Sequence, residues 1–242
     1  MKRLIAKTGK LSVAHLTIIA AMLAAWSVTA AVAQNPQLEE KLMALKQSQA
    51  MNKQKLAQYT WQETETISIK GNVKDTKMYQ VQVGPNGQQQ KTEISDQKAS
   101  SGGREGRLKE HVVEKKTEEY QQYGQQIGAL AKQYTQPDPE RLMQAKQQGN
   151  ISMQMAPGGG VNLVIKNYIK PNDSVTMAID PQTKALQGIT VASYLSDPSD
   201  AVNITAGFAK LPDGTNHVAN TTINGVSKQL TVNEQNSNYQ LR

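Results

Sequence analysis

The fold of this chain is decided by residues 161–208, which read VNLVIKNYIKPNDSVTMAIDPQTKALQGITVASYLSDPSDAVNITAGF. Apolar and polar side chains alternate here in short runs, and a period of two is the pattern of a strand with one buried face. Turn signals separate the runs at Lys170–Asp173, Asp180-Pro181 and Asp197-Pro198. Strands joined by such short turns are antiparallel neighbours. The stretch therefore predicts an antiparallel meander.

The same alternation continues on both sides of this stretch. Towards the C-terminus, Pro212-Asp213-Gly214 and Asn224-Gly225 predict further turns, since an Asn-Gly pair is favoured in tight hairpins. Upstream, Tyr59–Ile69 and Val73–Val83 alternate as two strands joined by a three-residue loop at Lys70-Gly71-Asn72. The predicted sheet has about nine or ten strands, too many to stay flat without curling.

The first hairpin has a definite predicted register, because a slip by one residue moves every side chain to the other face. Glu63 and Glu65 fall on its otherwise apolar face, where a charge needs a partner or water. Lys77 is the predicted partner of Glu65. The predicted cross-strand pairs are Ile69 with Val73, Trp61 with Val81, and Glu65 with Lys77.

Other segments follow a helical period. Pro36–Ala57 carries leucines near helical spacing and predicts an amphipathic helix that either covers the sheet or binds a partner. Residues 104–149 form a predicted helical insertion, whose second helix starts at Asp138-Pro139 as N-cap and first position and ends at Gly149. The polar residues from the turn Pro85-Asn86-Gly87 to Ser100–Gly103 are predicted to form a flexible loop.

Residues 1–33 have the organisation of a secretory signal peptide. A basic start is followed by the apolar stretch Leu16–Val28 and by the small residues Ala31-Val32-Ala33, which predict cleavage before Gln34. The alternative is an uncleaved membrane anchor, since Leu11–Ala33 is long enough to cross a bilayer. With cleavage, the mature chain 34–242 is expected to be one periplasmic domain without a transmembrane span.

Composition excludes several classes of protein. The 242 residues include no cysteine, so there is no disulfide scaffold, thiolate metal site or cysteine nucleophile. Aromatic residues make up only 5%, which argues against a base-stacking surface. Four of the 27 basic side chains precede residue 34, so the remainder has 23 basic and 20 acidic side chains. A net charge of +3 does not indicate a nucleic-acid partner.

The sequence offers little for catalysis. His111 and His217 have no metal-ligand spacing with other residues, and both are predicted to be solvated. Ser193 and Ser196 lack a nucleophile elbow, and Gly158-Gly159-Gly160 precedes a strand instead of a helix, so it predicts a turn and no phosphate loop. Glu63 and Glu65 stand too close on one strand to indicate glycoside hydrolysis without a second signal. We therefore predict a protein that is not an enzyme and needs no cofactor or metal.

The order of elements and the turn motifs carry a resemblance. Asp180-Pro181-Gln182-Thr183, Leu211-Pro212-Asp213-Gly214 and the final Asn236–Tyr239 accompany an N-terminal helix, two strands and a helical insertion. In this combination the chain resembles the LolA/LolB and RseB lipoprotein-carrier superfamily. The resemblance implies an α+β fold: a strongly curved antiparallel sheet, an incomplete β-barrel, with an apolar inside that helices cover.

The apolar inner face of such a sheet is the candidate binding site, because methionines adapt to irregular apolar ligands. We predict an exported carrier or binding protein for a lipid, a lipoprotein acyl chain or another apolar ligand of the cell envelope. Two alternatives remain: an ordinary core plugged by the helices, and an RseB-like module that binds an envelope protein as a sensor or scaffold. The candidate cavity residues are Trp61, Tyr79, Met153, Met155, Ile165, Met177 and Phe208.

Overall fold

The computed structural model describes residues 36–98, 107–135, 138–156 and 159–242. The predicted signal peptide, the stretch Ser100–Gly103, Gly158 and the side chain of His111 lie outside this description. The described elements, in chain order, are α1 (Pro36–Leu56), β1 (Tyr59–Ile69), β2 (Asn72–Val83), β3 (Gln89–Lys98), α2 (Arg107–Thr135), α3 (Pro139–Gln147), β4 (Ile151–Met155), β5 (Val161–Lys166), β6 (Ser174–Ile179), β7 (Leu186–Tyr194), β8 (Ala201–Lys210), β9 (Asn216–Gly225) and β10 (Leu230–Leu241).

All described strands belong to one open antiparallel sheet of ten strands, in the order β3-β2-β1-β10-β9-β8-β7-β6-β5-β4. The predicted fold class, a curved antiparallel sheet with helices, is confirmed. The strands alternate buried and exposed residues because one face packs against the helices and the other faces solvent. The chain segment with α2 and α3 connects the two edge strands, β3 and β4. We call the helix-covered side the inner face and the opposite side the outer face.

The register of the first hairpin is confirmed in part. Trp61 lies opposite Val81 and Glu65 opposite Lys77, as predicted. The predicted pair of Ile69 with Val73 is wrong, because the turn has two residues, Lys70 and Gly71, with φ of 53° and 77°. Such a turn needs left-handed backbone at both positions, which its glycine readily adopts. The register then shifts between Ile67 and Ser68, so that the inner-facing residues stay aligned.

The predicted flexible loop after the second strand is wrong over Gln89–Lys98, which forms the edge strand β3. Its sequence, QQKTEISDQK, is polar throughout and shows no apolar stripe. Backbone pairing with β2 holds it in the sheet, with Val81 opposite Lys91 and Tyr79 opposite Glu93. Charged side chains are common on edge strands, where they discourage pairing with other chains. The strand was missed because its polar composition shows no strand periodicity.

Asn224-Gly225 was predicted to form a hairpin turn, and this is wrong, because both residues belong to β9 and the turn follows at Val226–Gln229. Gly225 has a packing role instead. A Cβ built on it would lie 2.4 Å from Cε1 of Tyr123 on α2, closer than two such atoms can approach. The glycine allows α2 to pack tightly on the sheet. By contrast, Asp138 caps α3 as predicted, and Gly149 follows that helix with a φ of 72°.

Candidate functional site

Strands β4, β5 and β6 hold four of the seven predicted cavity residues, and Met153, Ile165 and Met177 lie close together on their inner face. Met153 lies opposite Leu163, which lies opposite Met177, and Ile165 follows on β5. Ile165 and Met177 are completely buried under the helices, whereas Met153 is half-buried. Met155, at the end of the edge strand β4, is 76% exposed. Two of these four side chains thus belong to the packed core, one lies at its margin and one is exposed.

The other three predicted residues lie elsewhere on the sheet. Trp61 and Tyr79, on β1 and β2, are at its far end, separated from Met177 by β10, β9, β8 and β7. Trp61 is 2% exposed, its ring is stacked on Tyr239 with centroids 5.4 Å apart, and its Nε1 donates to Oδ1 of Asn236 at 3.1 Å. Phe208 follows a register shift in β8 and packs, half-buried, against the main core.

Two tyrosines attach α2 to the turns at one end of the sheet. The Tyr123 hydroxyl donates to Oδ1 of Asp200 in the β7–β8 turn at 2.8 Å. The Tyr134 hydroxyl donates to Oδ2 of Asp173 in the β5–β6 turn at 2.6 Å and lies 2.8 Å from Oγ of Ser193. Burial, together with the hydrogen bond to Asp173, raises the pKa of Tyr134, so it remains a donor. We infer that α2 is a fixed part of the core.

Helix α1 lies between two apolar spaces that share Leu42 and Leu45. The first is a small, partly open cavity of about 30 Å³ beneath the helix, next to Met153 and Leu163. It has room for about a water molecule and none for an acyl chain. The second is a groove of about 480 Å³ between α1 and α3. Its further lining is Glu39, Met43, Lys46, Gln49, Glu140, Leu142, Met143, Gln144 and Gln147.

The opposite end of the inner face is charged instead of apolar. We define the charged cluster as Glu63, Glu65, Glu234 and Lys91. One carboxylate oxygen from each glutamate lies within 4.8 Å of the other two. Nζ of Lys91 is 2.5 Å from Oε1 of Glu63 and 3.9 Å from Oε1 of Glu234. Three carboxylates at this spacing are the ligand type that Ca²⁺ or Mg²⁺ prefers, but the lysine already supplies a positive charge there.

Burial raises the pKa of both Glu65 and Glu234, and Glu63 contributes to the rise by repulsion, while Lys91 opposes it. Lys77 lies opposite Glu65, as predicted, and lowers the pKa of Glu65, but it is not the main partner of that carboxylate. Nζ of Lys77 lies 3.7 Å from Oε2 of Glu93, and Lys91 is the main attraction on Glu65. The role of Lys91 was not predicted, because Lys91 lies on β3, which the polar sequence predicted to be a loop. The cluster has more negative than positive groups, which disfavours its fully ionised form.

Glu65→Gln is therefore expected to stabilise the protein at neutral pH, by about 0.5–1 kcal/mol after solvent screening. A carboxyl whose pKa is raised by folding stabilises the native state below its unfolded pKa, and this contribution is lost as pH rises through the folded pKa. Urea unfolding of both proteins at pH 4.5 and 7.5 is the measurement, with the gain expected only at pH 7.5. Glu93→Gln, at the half-exposed pair with Lys77, is the control. A loss of stability for Glu65→Gln at pH 7.5 would contradict the expectation.

The histidine and serines considered for catalysis pack against, or lie near, residues of the fold instead of forming a reactive group. His217, predicted to be solvated, is 8% exposed, so that prediction is wrong. Its ring centroid lies 4.2 Å from that of Tyr239, and Nδ1 is 3.1 Å from the Val218 carbonyl oxygen. The position of His217 just after a turn suggested exposure. Its burial depends on Tyr239, near the end of β10, whose ring packs against it. Ser193 contacts Tyr134 and Ser196 is exposed. Neither serine is hydrogen-bonded to a histidine within the described ranges.

Sequence patterns did not identify the groove or all of the charged cluster. Met43 and Met143, which line the groove, are 63% and 43% exposed. Methionines on the polar side of an amphipathic helix were the sequence signal that could have indicated this groove. Glu234 joins Glu65 only through the pairing of β1 with β10. No local pattern connects two residues so far apart in the chain. The groove and the cluster are therefore tertiary features.

The architecture defines a class: an open, curved antiparallel sheet with helices on one face. No family model and no curated protein matches the chain. Among solved structures, it is similar to a DUF1329 family protein from Desulfovibrio piger ATCC 29098, with 9% identity, a TM-score of 0.43, and coverage of 84% of this chain and 92% of that one. It is also similar to the LolA superfamily protein NE2245 from Nitrosomonas europaea, with 8% identity, a TM-score of 0.39, and coverage of 83% and 93%. Both likenesses are distant.

None of the helices in the described part of the chain is both long enough and apolar enough to span a membrane.

Proposed function

We propose that this protein is an exported, non-enzymatic binding protein or carrier for an apolar or amphipathic ligand of the cell envelope, such as a lipid or a lipoprotein acyl chain. The mature chain, 34–242, would act in the periplasm after cleavage of the signal peptide. The observation that carries the proposal is the groove between α1 and α3. Its floor is Leu42, Leu45 and Leu142, and the exposed Met43 and Met143 line it.

The way α1 is attached supports a site that can enlarge. Near its C-terminal end, the Asn52 side chain exchanges two hydrogen bonds of 2.6 Å with the backbone of Asn216. Nearer its N-terminal end, Lys146 Nζ pairs with Glu39 Oε2 at 3.0 Å, and Glu39 is 41% exposed. Lys146 itself is 15% exposed, so this single ion pair is partly buried. The buried Leu42 and Leu45 supply the rest of the attachment at this end. Rotation about Asn52 would join the groove to the small cavity beneath α1.

The size of the two spaces also favours this arrangement. Pockets for small molecules have volumes of about 300–1,000 Å³, and the groove lies in this range. The small cavity cannot hold such a ligand alone, yet it continues the apolar lining towards Met153 and Leu163. A flexible apolar chain would therefore start in the groove and displace Leu42 and Leu45 as it entered. Lys46 lies at the groove and Lys41 at the cavity, where either can meet an anionic head group.

The test is fluorescence titration of the folded mature protein with the uncharged methyl ester of cis-parinaric acid, a fluorescent fatty acid, so that an added lysine cannot attract the probe by charge. Met43→Lys is expected to weaken binding by about tenfold, because it places a charge in the apolar groove. Met51→Lys is the matched control, since Met51 is an equally large exposed side chain on α1 outside the groove. Met177→Lys is unsuitable, because it would bury a charge in the core and unfold the protein.

Equal affinities for Met43→Lys and Met51→Lys would contradict the groove as the site. Wild-type protein that melts cooperatively but binds no probe, and from which organic extraction recovers no lipid, would overturn the carrier proposal. Capture of a defined envelope protein by the same material would then favour the sensor or scaffold alternative.

A further inference from the structure

One residue that lines the groove carries a buried hydrogen-bond donor without a partner. Nε2 of Gln49 is shielded from solvent and contacts no acceptor of the protein. Within the described part of the chain, only Oδ1 of Asp75 shares this condition. Buried polar groups of native structures are nearly always paired, because a buried donor without an acceptor has lost its water and gained nothing in return. Gln49 is therefore an unusual position in this fold.

Gln49 lies on the apolar face of α1. It follows Leu42 by seven positions and Leu45 by four, a spacing that places the three side chains on one side of the helix. Both leucines are buried, and all three residues line the groove. An apolar side chain at position 49 would continue the leucine stripe and leave no unpaired donor. The stability of the helix therefore gives no reason for an amide at this position.

Gln49 also lies close to the point about which α1 would move. Of the α1 residues that line the groove, it is the last along the chain, three positions before Asn52. Asn52 is held by its two hydrogen bonds to the backbone of Asn216. Less than one helical turn separates Gln49 from this attachment, so rotation about Asn52 moves it less than it moves Leu42. A small opening of α1 is therefore enough to bring a ligand atom to the amide.

The ligand atom that suits this amide is a neutral carbonyl oxygen. An amide N–H pairs with an acceptor, and a carbonyl oxygen brings no donor of its own. A hydroxyl would bring a proton that needs a further partner, and a carboxylate would bring a charge that loses its hydration beside Leu45. An ester joins such a carbonyl to an apolar chain. The amide and the leucines thus match the two parts of an acyl ester.

We propose that Gln49 determines the specificity of the groove: its side-chain amide donates to the carbonyl oxygen of an acyl ester, whose chain extends along Leu45 and Leu42. This inference rests on the proposed function and narrows the ligand from apolar molecules in general to acyl esters. The ester supplies the hydrogen bond that Nε2 lacks in the closed form. A plain hydrocarbon cannot supply it, so only the ester gains this differential interaction with the open form.

The experiment compares two fluorescent probes on the folded mature protein. The methyl ester of cis-parinaric acid carries an ester carbonyl, whereas diphenylhexatriene is a hydrocarbon without any hydrogen-bonding group. Gln49→Met removes the donor and keeps an unbranched side chain of similar length. It is expected to weaken ester binding about tenfold and to leave diphenylhexatriene binding unchanged. Gln47→Met, at an exposed glutamine of α1 outside the groove, is the matched control and should change neither affinity.

Thermal melts without ligand give a second readout. Gln49→Met is expected to melt at or above the temperature of the wild type, because it removes an unpaired buried donor from an apolar helix face. A melting temperature clearly below those of the wild type and Gln47→Met would show that the amide already stabilises the free protein. That result would overturn the inference.

The outcomes separate this inference from the proposed function. If the wild type binds both probes and Gln49→Met binds the ester equally well, the role of Gln49 is overturned and the groove remains the site. An equal loss of affinity for both probes would also overturn it, because the side chain would then contribute only packing. Binding of neither probe to the wild type would overturn the proposed function, and this inference with it.

Discussion

Asp173→Ala is expected to lower the free energy of unfolding by about 3–5 kcal/mol, because it leaves several buried donors without an acceptor. Asp173 is 2% exposed and lies in the turn between β5 and β6. Its carboxylate accepts hydrogen bonds from the backbone N–H groups of Tyr168, Ile169 and Lys170, at 2.5 to 2.9 Å. It also accepts the hydroxyl of Tyr134 from α2. One side chain thus shapes a turn and holds a helix on the sheet.

Tyr134→Phe is the control for that prediction. It removes only the helix contact and leaves the three backbone hydrogen bonds of Asp173, so a loss of about 1–2 kcal/mol is expected. Urea unfolding at constant pH measures both variants and the double variant, whose cost should be smaller than the sum because the two groups share a hydrogen bond. A cost for Asp173→Ala no greater than that for Tyr134→Phe would show that the turn does not depend on the carboxylate.

Trp61→Ala is also expected to cost about 3–5 kcal/mol, the range for removing a large aromatic side chain from a core. Trp61 is 2% exposed, and its indole ring is stacked on Tyr239, whose own ring contacts His217. The substitution would leave a cavity between β1 and β10 and would also free the Asn236 side-chain oxygen. Denaturant unfolding followed by circular dichroism is the measurement.

Trp61→Phe is the matched variant, because it keeps an aromatic ring over Tyr239 while removing Nε1. It should cost much less than the alanine variant if packing dominates. A loss below about 1 kcal/mol for Trp61→Ala would instead place Trp61 at the wall of an open cavity, as the sequence-based hypothesis of an empty barrel requires. Asp173, between β5 and β6, and Trp61, on β1, are far apart in the sheet. The losses of unfolding free energy for Asp173→Ala and Trp61→Ala should therefore be additive.

The way in which α1 and α2 are attached to the sheet decides which helix could admit a ligand. The sequence left open whether the helices form a movable cover or a permanent plug. The hydroxyls of Tyr123 and Tyr134 attach α2 to the turns of the sheet, as expected for a plug. By contrast, one end of α1 is tied to α3 by a single, partly buried ion pair. The plug hypothesis therefore fits α2, and the movable-cover hypothesis fits α1. Ligand entry would displace α1 and leave α2 in place, which is why the proposed test substitutes Met43 on α1.

The amino-acid sequence by itself determined the antiparallel meander, most of its turns and the three helices, because these features are encoded locally. Period-two alternation on β5 to β8, the cap at Asp138 and the turn prolines each act within a few residues. The pairing of Trp61 with Val81 followed from the same local pattern, since only one register buries both apolar faces.

Only the tertiary structure decided which distant residues meet. β3 is a strand because β2 supplies hydrogen-bond partners along its backbone, although its polar side chains show no periodicity. Gly225 allows Tyr123 to approach, and Glu234 joins Glu65, through contacts between residues more than 100 positions apart. Contact between the successive strands β9 and β10 buries His217 against Tyr239. Such contacts depend on how the sheet closes on the helices, and short-range patterns in a sequence carry no record of that packing.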